Sequence, residues 1–444
     1  MLTDDQARTL AGELEKDARP EWARLGILTR YARGKQKDPW LPDSAETEYR
    51  EIARKSASNW LDLVLRSTTQ GLIVDGFVTI SPDDATWVNG WQANGMDARQ
   101  HPLHRAVLTH GYGYLLTMPV EGSVWLRPDS AVNVFARYAD PDDEWPEVAV
   151  RMIRKDHWEL WDATHRYALR GGRPGDHKRL SVAALAHNIG LCPVTKVQAQ
   201  YDLLGDPVGE IEPVLSIQDR IVDATFNLQM VAKYGAWPQR WIAGMAPPEV
   251  DSDGNPTGPR VKAYVDSILV GDDPDTKFGQ FAAADLSKFV EALEAHIRHL
   301  AAITQTPPHY LLGSMVNLSA EALAASESGL QRKIRERREV IGEGHEQALR
   351  LTARLLGDDA AAMDPAAQVH WQDVESRSLA QTSDALLKLG QLGVPAQKLF
   401  QMIPGWTQQD AEEAAAMAAD SDPMGLLVQQ LEAGLAPADQ PIIG

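Results

Sequence analysis

Apolar positions follow two alternating rhythms along this chain. Near the N-terminus they recur every three or four residues, the spacing of one helical face. Thr3 and Gln6 form a capping box that opens a first helix. Pro20 suits the first turn of a second helix, which carries Trp22, Leu25 and Leu28 and stops near Gly34. A third helix is expected over 45–69. Between 72 and 163 the rhythm shortens to that of strands, in runs rich in Val, Ile, Trp and Tyr at 72–80, 112–119, 123–127, 131–138, 147–154 and 158–163. A helix over 87–108 interrupts them. Residues 1–210 therefore predict an α+β domain with a helical start and an antiparallel sheet.

The helical rhythm returns with Ile211, Val214, Leu215, Val222 and Phe226, predicting a helix over 211–235 that Gly235 and Pro238 end. Residues 236–284 are rich in Gly, Pro and Asp, with short strands expected around 240–243 and 261–270. Leu286, Phe289, Val290, Leu293, Ile297 and Leu300 place a second helix over 285–303, stopped by Thr306-Pro307-Pro308. A loop covers 304–318. A long helix without proline follows over 319–356, roughly 55–60 Å at 1.5 Å per residue. That is long for a helix inside a core and reads as a strut. Helical pieces at 376–392, 395–402 and 407–418 belong to a helical end that runs to 434, before a flexible tail over 435–444. The chain shows no internal repeat.

Charge narrows the function. The 444 residues carry 62 acidic and 43 basic side chains, a net charge of −19. A protein that clamps duplex DNA by neutralising phosphates presents a basic face, so any meeting with DNA is expected to be guidance rather than grip. Cys192 is the single cysteine, which excludes an intrachain disulfide and a cysteine metal cage. The charged, polar N-terminus does not read as a signal peptide. No apolar run reaches the length of about 18 residues that a membrane helix needs.

Catalytic motifs are missing. Neither a GxxxxGK[ST] phosphate loop nor a GxSxG elbow occurs. His345-Glu346 starts like a zinc-protease helix, but Leu349 stands where the second histidine belongs. His101, His104 and His110 read as surface or partly buried imidazoles near a helix end, and His296 and His299 likewise. Asp83-Asp84, Asp142-Asp143-Glu144 and Asp272-Asp273 read as solvated turns. The run Arg332-Lys333-Ile334-Arg335-Glu336-Arg337-Arg338 reads as a salt-bridged exposed helix or a subunit interface. No catalytic residue, cofactor or metal is expected.

Several local strings stand in a telling order. Tyr31-Ala32-Arg33-Gly34 follows the first helices, and Asn59 and Val74-Asp75-Gly76-Phe77 lead into the first strand. Trp91, Asn94 and Asp97 precede Gly111-Tyr112-Gly113-Tyr114. Glu212-Pro213 through Gln218-Asp219 opens the first later helix, and Trp237-Pro238-Gln239-Arg240-Trp241 with Gly244 closes it. Thr306-Pro307-Pro308-His309-Tyr310-Leu311-Leu312-Gly313 then leads to Asn317-Leu318-Ser319-Ala320-Glu321-Ala322-Leu323. Together with the order of elements, these strings resemble the portal, or head-to-tail connector, protein family of tailed bacteriophages. The resemblance covers about residues 20–355 and is strongest over 304–330.

The resemblance implies a wing over 1–210, stem helices over 211–235 and 285–303, a β-rich clip over 236–284, a tunnel loop over 304–318, a spine over 319–356 and a helical crown over 357–434. It implies a homo-oligomeric ring, a dodecamer in the virion, at one capsid vertex through which double-stranded DNA is packaged and ejected. Expected partners are the terminase large subunit, a head–tail adaptor, and the major capsid and scaffolding proteins, with no membrane. The expected location is the virion, assembled in the host cytoplasm, and ATP hydrolysis would belong to the terminase. The long helix and the wing sheet would supply most of the ring contact. Tyr310, Leu311, Leu312, Ser314, Met315 and Asn317 would project into the channel, unless the loop only joins two helices. Trp237, Arg240 and Trp241 would meet partners at the clip, or else form its core. The basic run at Arg332–Arg338 would, in a sharper reading, face DNA or the terminase. Competing readings are another virion structural or adaptor protein, an α+β enzyme with an unrecognised site, and a cellular DNA-binding scaffold, which the net acidity disfavours.

Overall fold

Helix α1 spans Asp4–Ala32, one helix where two were expected. The Thr3 side chain accepts from Gln6 N, and the Gln6 side chain accepts in return from Thr3 N at 2.8 Å, the capping box anticipated. Pro20 lies inside the helix instead of starting one. An interior proline costs about 3 kcal/mol. Here Ala7, Ala11, Leu14, Ala18, Leu25 and Leu28 run past it as one buried stripe, and packing of that stripe outweighs the lost bond.

The structure, a computed structural model, describes residues 1–420 apart from 45, 82–83, 122, 141, 174–180, 201–206, 236–239, 244–276, 281–284, 314–319, 374–378 and 404. The chain divides into two compact units. The first comprises Met1–Lys35, Asn59–Leu215 and Ile303–Gly444, the second Gln36–Ser58 and Ser216–Ala302.

In the second unit, the helix expected over 45–69 begins as α2, Thr47–Lys55. The rest of that stretch is a separate helix, α3, Trp60–Thr69, in the first unit, because Asn59 caps a new start by accepting from Asp62 N at 3.2 Å. In the first unit, β1 (Val74–Val78) is followed by a π-helical turn, Thr86–Trp91, where plain α-helix was expected. Helix α4, Met96–His110, leads into three strands, β2 (Tyr112–Val120), β3 (Ser123–Ser130) and β4 (Val134–Arg137). Next come β5 (Val148–Arg154), β6 (His157–Trp161), β7 (His165–Arg170), β8 (Ser181–Ala186) and β9 (Val194–Gln198). Strands β4 to β8 form an antiparallel meander, and β3-β2-β9 form a second sheet. Alternation places Val148, Val150, Trp158, Leu160, Tyr167 and Leu169 on one face, where Ala7, Ala11 and Leu14 of α1 cover them. Truncating a fully buried leucine such as Leu14 to alanine would cost about 2–5 kcal/mol.

Helix α5, Leu215–Gly235, belongs to the second unit from Ser216 onward. There Gln218 Nε2 donates to Ser58 O at 2.5 Å and Lys233 pairs with Glu48 of α2. Strands β10 (Arg240–Ala243) and β11 (Lys277–Gln280) pair antiparallel in that unit, ahead of α6, Leu286–Ile303. The strand expected at 261–270 lies outside the described residues. So does the flexible tail.

Back in the first unit, residues 304–318, expected as loop, contain a short helix, α7, Pro308–Leu312, with Pro307 as its N-cap and Gly313 left-handed at φ 65° after it. Helix α8, Ala320–Leu356, has 37 residues, about 55 Å. It is not a bare strut. Ile341, His345, Ala348, Leu349, Thr352 and Ala353 are fully buried, packed within the unit against β9, β2, β3 and the π-helical turn. Close approach has a sequence cause, since a Cβ on Gly344 would lie 2.9 Å from the Val197 Cα. Helix α9 (Asp359–Ala362) leads to β12 (Gln368–Trp371), which pairs with β1. Helices α10 (Leu379–Gln391), α11 (Ala396–Phe400) and α12 (Gln408–Asp420) follow, and α12 docks on β1 where Gly76 leaves room for the Gln408 side chain.

Candidate functional site

The site is built on α7 and the start of α8. Pro307 and Pro308 fix the backbone entering α7, and Pro308 needs no N–H partner at a helix start. Leu311, expected to project outward, is 4% exposed, because the side of α7 that carries it faces α3. Tyr310 is on the other side, 40% exposed, and its hydroxyl donates to the Glu327 carboxylate of α8 at 3.3 Å. Partial burial and that carboxylate raise the Tyr310 phenol above its ordinary value. His309 approaches the same carboxylate at 3.8 Å. Leu312 is half-buried. Ser314, Met315 and Asn317 lie outside the described residues, as does Trp237. Arg240 and Trp241 pair with Gln280 and Gly279 in the β10–β11 ladder, and their side chains are not described.

The basic run of α8 is turned largely inward, against the reading of an exposed patch. Lys333 Nζ donates to Glu210 Oε1 at 2.5 Å and to Thr304 O at 2.7 Å. Arg337 donates to Gln200 Oε1 at 3.2 Å. Arg338 clamps Gly71 O with two nitrogens, at 2.9 and 2.7 Å, and reaches Gln372 O at 2.8 Å. Such use of a planar fork is what distinguishes arginine from lysine. Ile334 is buried against Gly71, where a Cβ would meet its Cδ1 at 2.6 Å. Only Arg332 and Arg335 of the five cations are exposed.

A second polar feature went unread in the sequence. His104 and His345 are both fully buried, with Nε2 atoms 2.8 Å apart across 241 residues. Leu72 O accepts from His104 Nδ1 at 3.0 Å, so the His104 proton sits on Nδ1. His104 Nε2 therefore accepts, and His345 Nε2 donates. His345 Nδ1 is left buried with no partner among the described residues. Burial lowers the His104 pKa to about 4, and burial followed by the neighbouring His104 holds His345 well below its usual value. His110 is also lowered to about 4, by burial and then by Arg24. Trp91 and Trp371 flank the pair, with ring centres 5.3 Å from His345 and 5.8 Å from His104 respectively. Among the described residues no group of three His, Cys, Asp or Glu side chains converges. A cavity of about 20 Å3 beside Thr79, Asp84, Thr86 and Trp87 is room for about one water.

The sequence pattern described as "Phage portal protein, SPP1 Gp6-like" matches residues 21–424, nearly the whole chain. The chain belongs to the phage portal protein family. It is 27% identical over 388 residues to the portal proteins of Mycobacterium phages D29 and L5, spanning 82% of this chain and 79% of theirs. It is also similar to a chain in the neck of a native gene transfer agent particle computed with C12 symmetry. That likeness has 13% identity and a TM-score of 0.46, over 83% of this chain and 95% of the other. A chain from the virion of that particle matches with a TM-score of 0.40. In this portal-family chain, then, the described residues supply tyrosine, proline and inward-facing cations at α7 and α8.

Proposed function

We propose that this chain assembles into a closed ring of identical copies at one vertex of a phage capsid, and that double-stranded DNA is packaged and ejected along the ring axis. The family match over residues 21–424 carries this reading. A dodecamer is the expected stoichiometry. The chain serves as a structural conduit, and the terminase supplies ATP hydrolysis. The terminase large subunit and later the head–tail adaptor dock on the clip, residues 236–284, with Trp237, Arg240 and Trp241 as candidate contacts. The major capsid and scaffolding proteins surround the wing, and assembly takes place in the host cytoplasm.

The segment from α7 to residue 318 faces the channel, where Tyr310 and Leu312 meet DNA through uncharged surface. Leu311 anchors α7 instead. Net acidity of −19 supports passage without adhesion, because like charge keeps the duplex off the wall. Two experiments test the reading. Electron microscopy of the purified protein is expected to show rings; a protein that stays monomeric at high concentration refutes it. Deleting Ser314 to Val316 is expected to leave rings intact while lowering the yield of full-length packaged DNA, and normal packaging would overturn the channel assignment.

A further inference from the structure

The chain leaves the first unit after Leu215 and returns to it at Ile303. One side chain of the first unit joins the two passing points. Lys333 Nζ, on α8, reaches Glu210 shortly before the exit and Thr304 O immediately after the return, at 2.5 and 2.7 Å. The pair is dry: the Lys333 side chain is 5% exposed and that of Glu210 4%. Arg337, one turn further along α8, stands 3.5 Å from the second Glu210 oxygen.

A buried ion pair is a poor device for stability, since apolar residues of similar volume commonly do as well. Its distinctive property is intolerance of displacement. An ammonium that slips from its acceptors leaves an unpaired charge away from water, whereas an apolar contact slides at little cost. The other excursion of the chain shows that closing such a root needs no dry ion pair, since the cation there, Arg105, reaches Ala32 O only at 3.5 Å and pairs with Asp62 where both side chains are partly exposed. Residues Gln36–Ser58 are closed off by Asn59, whose Nδ2 donates to Ala32 O at 3.0 Å and whose Cβ lies 3.1 Å from the position a Gly34 Cβ would take.

The residues after Thr304 explain the difference. Gln305 is held left-handed at φ 51°, a backbone state that non-glycine residues keep only when their surroundings enforce it. The buried Thr304 hydroxyl then donates to that of Thr306 at 3.0 Å, and Pro307 opens α7. Helix α8 thus holds this segment at both ends, by Lys333 at Thr304 and by Glu327 at Tyr310.

We propose that Lys333 is a positioning residue: by fixing Glu210 and Thr304 to α8 it sets the placement of α7 and hence of Tyr310. Its consequence for packaging rests on the channel-facing reading of α7; the positioning itself does not.

The test compares full-length wild type with Lys333→Met/Glu210→Leu, Lys333→Arg and Lys333→Gln by amide hydrogen exchange. In the double variant, peptides over 304–313 are expected to exchange about tenfold faster, with peptides from β5 to β7 unchanged. Lys333→Arg keeps a cation within reach of both acceptors and is expected to exchange like wild type, unlike Lys333→Gln. Unchanged exchange over 304–313, or an equal rise throughout the protein, overturns the proposal. Should the double variant fail to fold, equal exchange in the Arg and Gln variants overturns it and the expected difference supports it. Faster local exchange with normal packaging upholds the positioning and counts against the channel reading alone.

Discussion

Three glycines of α8 make its packing measurable. At Gly329 an added Cβ meets nothing within 4 Å, so Gly329→Ala gains helix propensity, about 1 kcal/mol, without penalty. At Gly342 the nearest atom is Val369 Cγ2 at 3.5 Å, ordinary contact, so most of the gain survives. At Gly344 the same gain is opposed. The Cβ would lie 2.9 Å from Val197 Cα and 3.0 Å from its Cγ2. Val197 cannot retreat easily, because β9 is hydrogen-bonded to β2 with Val197 opposite Gly113. Overpacking of this kind costs about 1–3 kcal/mol, which cancels or exceeds the gain. The expected order of stability is therefore Gly329→Ala, then Gly342→Ala, then Gly344→Ala. The first and last should differ by about 1–3 kcal/mol, at roughly 1–2 °C in Tm for each kcal/mol in a unit of this size. Thermal unfolding followed by near-ultraviolet circular dichroism reads this directly, given the tryptophans around α8. If Gly344→Ala raises Tm as much as Gly329→Ala does, α8 does not lie on β9 in this way.

Two further outcomes are expected. His104, His110 and His345 all have folded pKa values below the ordinary 6.5, so the unfolded chain takes up protons first. Stability is intact above about pH 6.5 and falls as the pH drops toward about 4, by about 2 kcal/mol each for His104 and His110 at pH 5, with His345 acting in the same direction; equal urea midpoints at pH 7.5 and 5 would contradict the burial of the pair. Gly76→Ala should displace Gln408 and loosen α12, since a Cβ there would come within 1.8 Å of the Gln408 side chain. Limited proteolysis should then cut near α12 sooner than in wild type, while β5 to β7 stay resistant; unchanged cleavage would argue against the docking of α12 on β1.

Long elements with strong periodicity were legible: α5, α6 and α8 sit within a few residues of the expected ranges, and α1 begins at its expected cap but runs through the break expected at Pro20. Pro20 misled because local chemistry favours a start there, while tertiary packing along Ala7 to Leu28 favours continuity. Strands β7, β8, β9 and β12 escaped notice for a different reason. His165–Arg170 mixes charge with no β-branched residue and Gln368–Trp371 is short with a single valine, so pairing partners rather than composition make them strands, whereas Val194–Gln198 carries three β-branched residues and was simply too short to stand out. Nothing local could announce the His104–His345 contact, whose members are 241 residues apart. The signal that existed was a histidine on each of two helices beside apolar neighbours.

Length alone overstated the case for α8. Its second half is core of its own unit, with Ile341, Ala348, Leu349, Leu351 and Ala353 buried and Gly344 allowing close approach to β9, so a helix of this size does not by itself require neighbouring copies. The family assignment rests on the matched sequence instead. The inward turn of the basic run bears on how such a chain would treat DNA. Lys333 is committed to Glu210 and Thr304, Arg337 to Gln200, and Arg338 to the carbonyls of Gly71 and Gln372. Arg332 and Arg335 remain outside, but Glu336 and Glu339 are exposed beside them. The sharpest sequence cue for a phosphate-binding face is therefore spent on internal bonds, and the field left at this part of α8 is mixed rather than basic. A surface like that neutralises few phosphates and so frees few of the counterions condensed on a duplex.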